Sequence, residues 1–416
     1  MLKIVYPICC GIDVHKTFVV ATIAATDKKS ITTYQTQRFS TFTKDLKSLA
    51  QWLSDNNCQH VCMESTGKYW IPVYNILEPS CRITLAHPKY VKAIRGKKTD
   101  KKDSIWIADL FKHDLVPGSF IPEKQIRDLR EILRYRYKLV CFAASEKNRM
   151  QNSLTVSNIQ LASVVSDTFG KSAQAIISHL LANPGDTQFD FRPLLHGSMR
   201  KNEEQIALAI EGTITPVQAS KIQTCQQHVD QLGQYIEHLE ALADALAIPF
   251  ESRLRILESV PGVSHVSALV ILSEIGSDMS QFKSVKHLTS WAGLAPSNDQ
   301  SAGKKKSTKI SRAGVYIKPV LVQCALAAIS DKSFPHYRQR YEALKHRRGH
   351  KKALIAIARM MLTAIFVMLT NGELFNPGMY EESLRKPAYI LSPEMQLAHL
   401  AKRLGYLVVK VPELTQ

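Results

Sequence analysis

Acid is what this chain is short of. Asp and Glu number 36 against 54 Lys and Arg, a formal net charge of +18 and a pI near 9.5, so at neutral pH the molecule attracts polyanions. Also absent is any uninterrupted run of 18 apolar residues, which argues against a membrane-spanning helix, and no signal peptide precedes Asp13. The compartment expected from these absences is the cytoplasm, with nucleic acid as the partner and no role for a membrane. No CxxC pair is present, and Cys58 and Cys62 stand four apart, which removes the usual zinc-binding spacing. Of the eight cysteines, Cys9, Cys10, Cys62, Cys141 and Cys324 lie in apolar runs, where a reduced thiol is expected to act as a small hydrophobe.

What acid there is falls in suggestive places. Asp13 ends an apolar run from Ile4 to Ile12, inside Gly11-Ile12-Asp13-Val14-His15-Lys16-Thr17. Glu64 follows the apolar Val61-Cys62-Met63, and Asp100 and Asp103 lie in Lys97-Lys98-Thr99-Asp100-Lys101-Lys102-Asp103. An acid at a strand end is often a cap or a turn residue; four acids in apolar or basic settings read as a metal site on a polyanion-binding chain. The pattern predicts strands to Asp13, from Thr17 to Ala25 and from Ser30 to Phe39. A helix over Thr43 to Asp55 and a strand over His60 to Met63 follow, then a helix over Tyr69 to Leu77, a strand over Arg82 to Ala86 and a helix from Pro88. That order, β-β-β-α-β-α-β-α, is the RNase H-like arrangement, in which acids stand on the first strand, the fourth strand and a late helix.

Asp100 and Asp103 are three apart, which on a helix puts both carboxylates on one face about a turn apart; a helix is predicted over Asp103 to Lys112. Their mutual repulsion needs positive charge. Lys97, Lys98, Lys101 and Lys102 supply it if this is a solvated charge run. A Mg²⁺ ion supplies it if the acids are ligands, since Mg²⁺ takes a few carboxylate oxygens together with water and phosphate; the lysines then lie along a nucleic-acid backbone.

With 416 residues the chain has length for two or three domains. A helical pattern runs from Gln125 to Ser157, and an irregular stretch containing Asn183-Pro184-Gly185-Asp186 follows to Arg200. Ile222, Cys225, Val229, Leu232, Ile236, Leu239, Ala243 and Leu246 then alternate steps of three and four, a heptad seam that packs either on the 125–157 helix or on another copy. Leu257 to Val270, with Val260-Pro261-Gly262-Val263 at its centre, reads as a helix-hairpin-helix-like element whose amides suit a phosphate. Trp291-Ala292-Gly293-Leu294-Ala295-Pro296 leads into a polar loop, Ser297 to Gly303, then Lys304-Lys305-Lys306 and a helix from Arg312 to Ile329. A hydroxyl beside lysines is where a DNA phosphate meets a nucleophile, and it is also an ordinary surface loop. A basic segment, Arg338 to Lys352, precedes an apolar helix over Ala353 to Leu369.

Taken together, Gly11 to Lys16, Met63-Glu64-Ser65-Thr66-Gly67, Lys98 to Asp103, Val260 to Val263 and Gly293-Leu294-Ala295-Pro296 through Ser301 resemble the DEDD transposases of the insertion-sequence one-ten family, in the same order along the chain. The resemblance implies an α/β plus all-α protein: a RuvC-like, RNase H-fold domain over 1–120, a helical coiled-coil domain over 121–250, a mostly helical transposase domain over 251–376, and a tail over 377–416 without an assigned role. It implies that Asp13, Glu64, Asp100 and Asp103 bind Mg²⁺ or Mn²⁺. Ser301 matches the family's nucleophilic serine, which becomes joined to a DNA 5′ phosphate. Ala302 stands where the family commonly has glycine, which keeps Ser297, Ser307 and Ser311 as weaker candidates. Lys97, Lys98, Lys101, Lys102, Lys304, Lys305, Lys306 and Arg312 are the expected nucleic-acid contacts.

The implied function is excision and insertion of an insertion-sequence element by metal-dependent strand cleavage and exchange on double-stranded donor and target DNA. A structured noncoding RNA, the bridge RNA, guides it by pairing with both DNAs, and the protein works in the bacterial cytoplasm at the nucleoid as a homodimer or tetramer. The competing reading is a RuvC-like, metal-dependent, structure-selective endonuclease in which water is the nucleophile.

Overall fold

In a computed structural model the described residues are 2–91, 99–183, 186, 189–296, 299–301, 304–307, 309–378, 397, 400–401 and 404–406. Two compact units divide the chain, Met1–Pro122 and Glu123–Gln416.

The first unit is built on β1 (Ile8–Val14), β2 (Phe18–Thr26), β3 (Thr32–Ser40), α1 (Thr43–Asp55), β4 (His60–Glu64), α2 (Trp70–Leu77), β5 (Arg82–Ala86), α3 (Pro88–Val91) and α4 (Asp100–Lys112). The strands form one sheet in the order β3-β2-β1-β4-β5. The first two pairings are antiparallel, and β1 with β4 and β4 with β5 run parallel, an order and set of directions consistent with an RNase H-like domain. Strand alternation sorts β1 into two faces. Cys10, Ile12 and Val14 join a core with Leu46, Leu49 and Leu53 of α1 and Val73 and Leu77 of α2. Cys9 joins the other core with Cys62, Ile107, Ala108 and Phe111, so Gly11 and Asp13 face α4. Helices on both faces are why β1 reads as a continuous apolar run rather than an alternating one. The predicted elements are present, with α4 starting three residues earlier than its pattern predicts because Thr99 caps it: the Thr99 hydroxyl accepts from the Lys102 N–H at 3.3 Å.

The second unit is mostly helical: α5 (Lys124–Val156), α6 (Leu161–Val164), α7 (Lys171–Ala182), α8 (Glu203–Ala209), α9 (Pro216–Ala247), α10 (Glu251–Glu258), α11 (His265–Ile275), α12 (Val285–Trp291), a hairpin of β6 (Asp299–Ser301) and β7 (Lys304–Ser307), then α13 (Ile317–Ser330), α14 (His336–Arg348) and α15 (His350–Asn371). The heptad seam is filled from within the chain. Leu232 and Leu239 of α9 bury against Leu139 of α5 beside Ile132 and Ile236. Ile222 and Cys225 share a core with Met150 and Leu154, so the two long helices run antiparallel. Arg136 Nε donates to Glu240 Oε1 at 2.6 Å along one flank of this pair. Cys141 departs from expectation: it is exposed, because on a helix the run Leu139-Val140-Cys141-Phe142 turns outward one residue after buried Leu139. Among the described residues one helix, α15, is long and apolar enough to cross a membrane; Arg359 interrupts its run, and Leu354, Ile357, Met361, Leu362 and Ile365 are buried in the helical unit.

Candidate metal centre and serine hairpin

Gly11 decides how α4 meets the sheet. A Cβ on Gly11 would lie 2.4 Å from Ala108 N and 2.4 Å from Ser104 O, closer than any side-chain carbon sits, so the helix backbone rests directly on the strand. Two further contacts lock the approach: Ser104 Oγ lies 2.7 Å from Thr22 Oγ1, which lies 2.9 Å from Thr36 Oγ1, and the Cys9 thiol points to Ala108 O. This seating carries the first turn of α4, with Asp100 and Asp103, to the end of β1.

Asp13 leaves the strand there with 8% of its surface exposed. His15, two residues on and therefore on the same face, places Nε2 3.1 Å from Asp13 Oδ2 and 3.5 Å from Asp100 Oδ1. The three donor atoms lie within 4.8 Å of one another, and among the described residues no other group of His, Cys, Asp or Glu side chains does the same. Burial pushes the Asp13 carboxyl above the usual carboxylate range; His15 opposes the rise, and the charges of Asp103 and Asp100 add to it. Glu64 follows Met63, the residue paired with Ile12 in the parallel β1–β4 register, and it shares the Cys62 face, so it lies beside Asp13 at the C-terminal ends of the two neighbouring strands. Its Oε1 accepts from the Thr66 hydroxyl at 3.4 Å. Glu64 and Asp103 flank the Asp13–His15–Asp100 group without joining it.

A divalent cation suits this donor set. Carboxylates held together against their own repulsion, one of them forced up by burial, are stabilised by a positive ion, and hard oxygen ligands are what Mg²⁺ and Mn²⁺ take. Asp13 and Asp100, with Glu64 and Asp103 alongside, are the residues that would hold it.

Of the expected nucleic-acid contacts, Lys101 and Lys102 are exposed on the outer side of the α4 first turn, Arg312 is exposed after the hairpin, and Lys97 and Lys98 lie outside the described residues. Ser301 belongs to the second unit. Within the stretch read as a polar loop, residues 299–301 are instead a strand paired with β7, with Ser301 opposite Lys304, Gln300 opposite Lys305 and Asp299 opposite Ser307; Lys306 lies between Lys305 and Ser307 on β7. Farther down, Pro296 bridges to Ile310. At the base the chain crosses itself: a Cβ on Gly293, whose φ is +68°, would lie 2.3 Å from Ala313 O, and one on Gly314 2.1 Å from Ala292 O. Lys318 Nζ ties the crossing by donating to Ser311 O and Ala313 O at 2.8 and 2.9 Å. Among the weaker candidates, Ser307 is on β7, Ser311 Oγ accepts from the Ala313 N–H, and Ser297 lies outside the described residues.

The helix-hairpin-helix-like element is present as α10 and α11, yet it is a poor phosphate cradle. Ser264 caps α11, and the carboxylates of Glu258 and Asp244 both bond His265 in its first turn, so the imidazole there is already paired with acids rather than open to a phosphate. His15, one residue past the end of β1, has no role in the sequence reading; its i, i+2 spacing from Asp13 at a strand end is the signal for it.

Comparison with known families adds two matches. The model of IS110-type DEDD transposases, described as Transposase, covers residues 10–159; that of the Transposase IS116/IS110/IS902 family covers residues 254–342. Together they span more than half of the 416 residues. The transposase for insertion sequence element IS1111A of Coxiella burnetii is 28% identical over 36% of this chain and 40% of its own length. The insertion element IS110 43.6 kDa protein of Streptomyces coelicolor is 24% identical over 68% of this chain and 73% of its own. The pilin gene-inverting protein of Moraxella bovis is 21% identical over 89% of this chain and 98% of its own.

Proposed function

The chain belongs to the IS110-type transposase family, and on that premise we propose that it is a metal-dependent DNA recombinase that moves an insertion-sequence element by cleaving and exchanging strands. The observation that carries this reading is the convergence, on one sheet face, of the strand end bearing Asp13, the strand end bearing Glu64 and the helix turn bearing Asp100 and Asp103.

In this proposal Asp13, Glu64, Asp100 and Asp103 hold Mg²⁺ or Mn²⁺, and a bound divalent ion would neutralise the scissile phosphate and the oxygens that gain charge around it. Ser301 supplies the nucleophile. Its Oγ forms a bond to phosphorus as the bond from phosphorus to the 3′ oxygen breaks; the serine proton passes to a base or water and the 3′ oxygen ends as a hydroxyl. The 5′-phosphoserine so formed keeps the energy of the phosphodiester, and an incoming 3′ hydroxyl reverses the step and frees the serine. Lys304 to Lys306 and Arg312, close in sequence to Ser301, are assigned to the DNA backbone, as are Lys97, Lys98, Lys101 and Lys102. Guidance by a structured bridge RNA that pairs with donor and target rests on the family resemblance and on the +18 charge. So does assembly as a dimer or tetramer, to which the heptad seam contributes nothing because α5 fills it. The partition into a RuvC-like part (1–120), a coiled-coil part (121–250), a transposase part (251–376) and a tail (377–416) belongs to the same proposal. A protein named for gene inversion that matches along 98% of its length favours strand exchange over hydrolysis by water.

Denaturing electrophoresis after incubation with donor DNA and Mg²⁺ tests this. Wild type is expected to leave protein covalently attached to a DNA 5′ end, Ser301→Ala to leave none, and Asp100→Asn to lose cleavage while still binding RNA. Equal cleavage by wild type and Ser301→Ala, without any adduct, would establish the endonuclease reading instead.

A further inference from the structure

Four acids are the ligands that the sequence motifs assign, yet the tightest donor grouping contains an imidazole. His15 Nε2 is 3.1 Å from Asp13 Oδ2 and 3.5 Å from Asp100 Oδ1. Donors about 2.1 Å from one octahedral ion and at right angles stand about 3.0 Å apart, so the His15–Asp13 separation, a hydrogen bond here, is also that of neighbouring corners of a coordination sphere, and Asp100 has about half an ångström to close. Neither Glu64 nor Asp103 is in this grouping.

The ring is also held in place. His15 N–H donates to Phe18 O at 2.9 Å, closing the β1–β2 turn, and the imidazole packs on the Phe18 ring with centroids 4.5 Å apart. The Arg38 guanidinium lies over the same phenyl, 3.8 Å from its centroid. A surface histidine that merely pairs with an acid does not need a guanidinium–phenyl stack behind it.

We infer that His15 Nε2 is a direct ligand of the divalent ion, beside Asp13 and Asp100, and that it turns an all-oxygen site into a mixed nitrogen and oxygen one. The inference rests on the metal-site reading proposed above. Its chemical consequence is selectivity. Imidazole suits transition ions better than Mg²⁺, and affinities for such sites rise from Mn²⁺ towards Co²⁺ and Zn²⁺, so this centre favours Mn²⁺ over Mg²⁺ more than four carboxylates alone would. Arg38 and Phe18 are positioning residues: they touch the ligand and not the ion.

Pulsed electron paramagnetic resonance of Mn²⁺ bound to the full-length protein reads the bond directly. Wild type is expected to show the ¹⁴N coupling of a coordinated imidazole, replaced by ¹⁵N frequencies when the protein is grown with ¹⁵N-histidine. His15→Phe, which keeps an aromatic ring against Phe18, is expected to lose the coupling and to bind Mn²⁺ at least about tenfold more weakly. Bound Mn²⁺ without nitrogen coupling in wild type, or coupling retained in His15→Phe, would overturn the inference and leave the carboxylate site standing. Mn²⁺ binding unaffected by Asp13→Asn would overturn the metal site itself, and the inference with it. If His15→Phe fails to fold, His15→Gln takes its place, and the absence of nitrogen coupling in wild type overturns the inference without any variant.

Discussion

His265 is held between two carboxylates, Glu258 Oε1 on Nδ1 and Asp244 Oδ1 on Nε2 at 2.9 Å, so its pKa is raised by those hydrogen bonds despite the opposing effect of partial burial. A histidine whose folded pKa exceeds its unfolded one stabilises the fold fully below the unfolded value and loses that contribution as pH rises through the folded value. Melting temperature is therefore expected to fall as pH climbs from just below the ordinary histidine range of about 6.5 through the raised folded value. His265→Gln, compared by calorimetry over that range, is expected to flatten the dependence; an unchanged slope would show that His265 is not its source. At this scale a sequence discloses partners within a few residues: Asp13 and His15 are two apart at the end of a strand, and Asp100 and Asp103 one helical turn apart. It does not disclose Arg134, whose Nε and Nη2 donate to the two oxygens of buried Glu274 at 2.6 and 2.8 Å from 140 residues away, because nothing local marks either residue as the other's partner.

Elements carry the next level of constraint, and α4 shows it best. The helix is placed by close backbone approach over Gly11, so Gly11→Ala inserts a methyl where Ser104 O and Ala108 N already stand. The helix must lift, at a cost of about 1–3 kcal/mol by comparison with overpacked cores, and Asp100 and Asp103 move with it away from Asp13. The expected result is a lower melting temperature together with weaker Mn²⁺ binding, measured on the same preparation; wild-type values for both would mean that α4 does not position the acids. Strand and helix periodicity predicts nearly every element of the first unit, since a sheet covered on both faces leaves long apolar runs. The β6–β7 hairpin escaped because its residues are polar on both strands, and polar alternation carries no periodic hydrophobic signal. The heptad seam was visible, but its partner was not: an apolar seam fits α5 as well as it fits another chain, and only the antiparallel return of α9 onto α5 makes the choice.

At the scale of the whole molecule, residues 1–122 contain a complete sheet with a core on each face, enough to fold without the helical unit. Expressed alone, this segment is expected to melt in one cooperative transition by circular dichroism; a non-cooperative melt would show that its core is incomplete. The sequence by itself determined the charge, hence the attraction to polyanions, along with the acid motifs and the order of strands and helices along the first unit, because each of these is a property of composition or of short-range pattern. Only tertiary structure decided that Asp13, His15 and Asp100 meet at one point and that α5 occupies the seam. It also showed that carboxylates crowd the α10–α11 hairpin, where the pattern promised a phosphate site. Those outcomes depend on contacts between residues far apart in the chain, and the distance between two side chains is set by packing rather than by the residues between them.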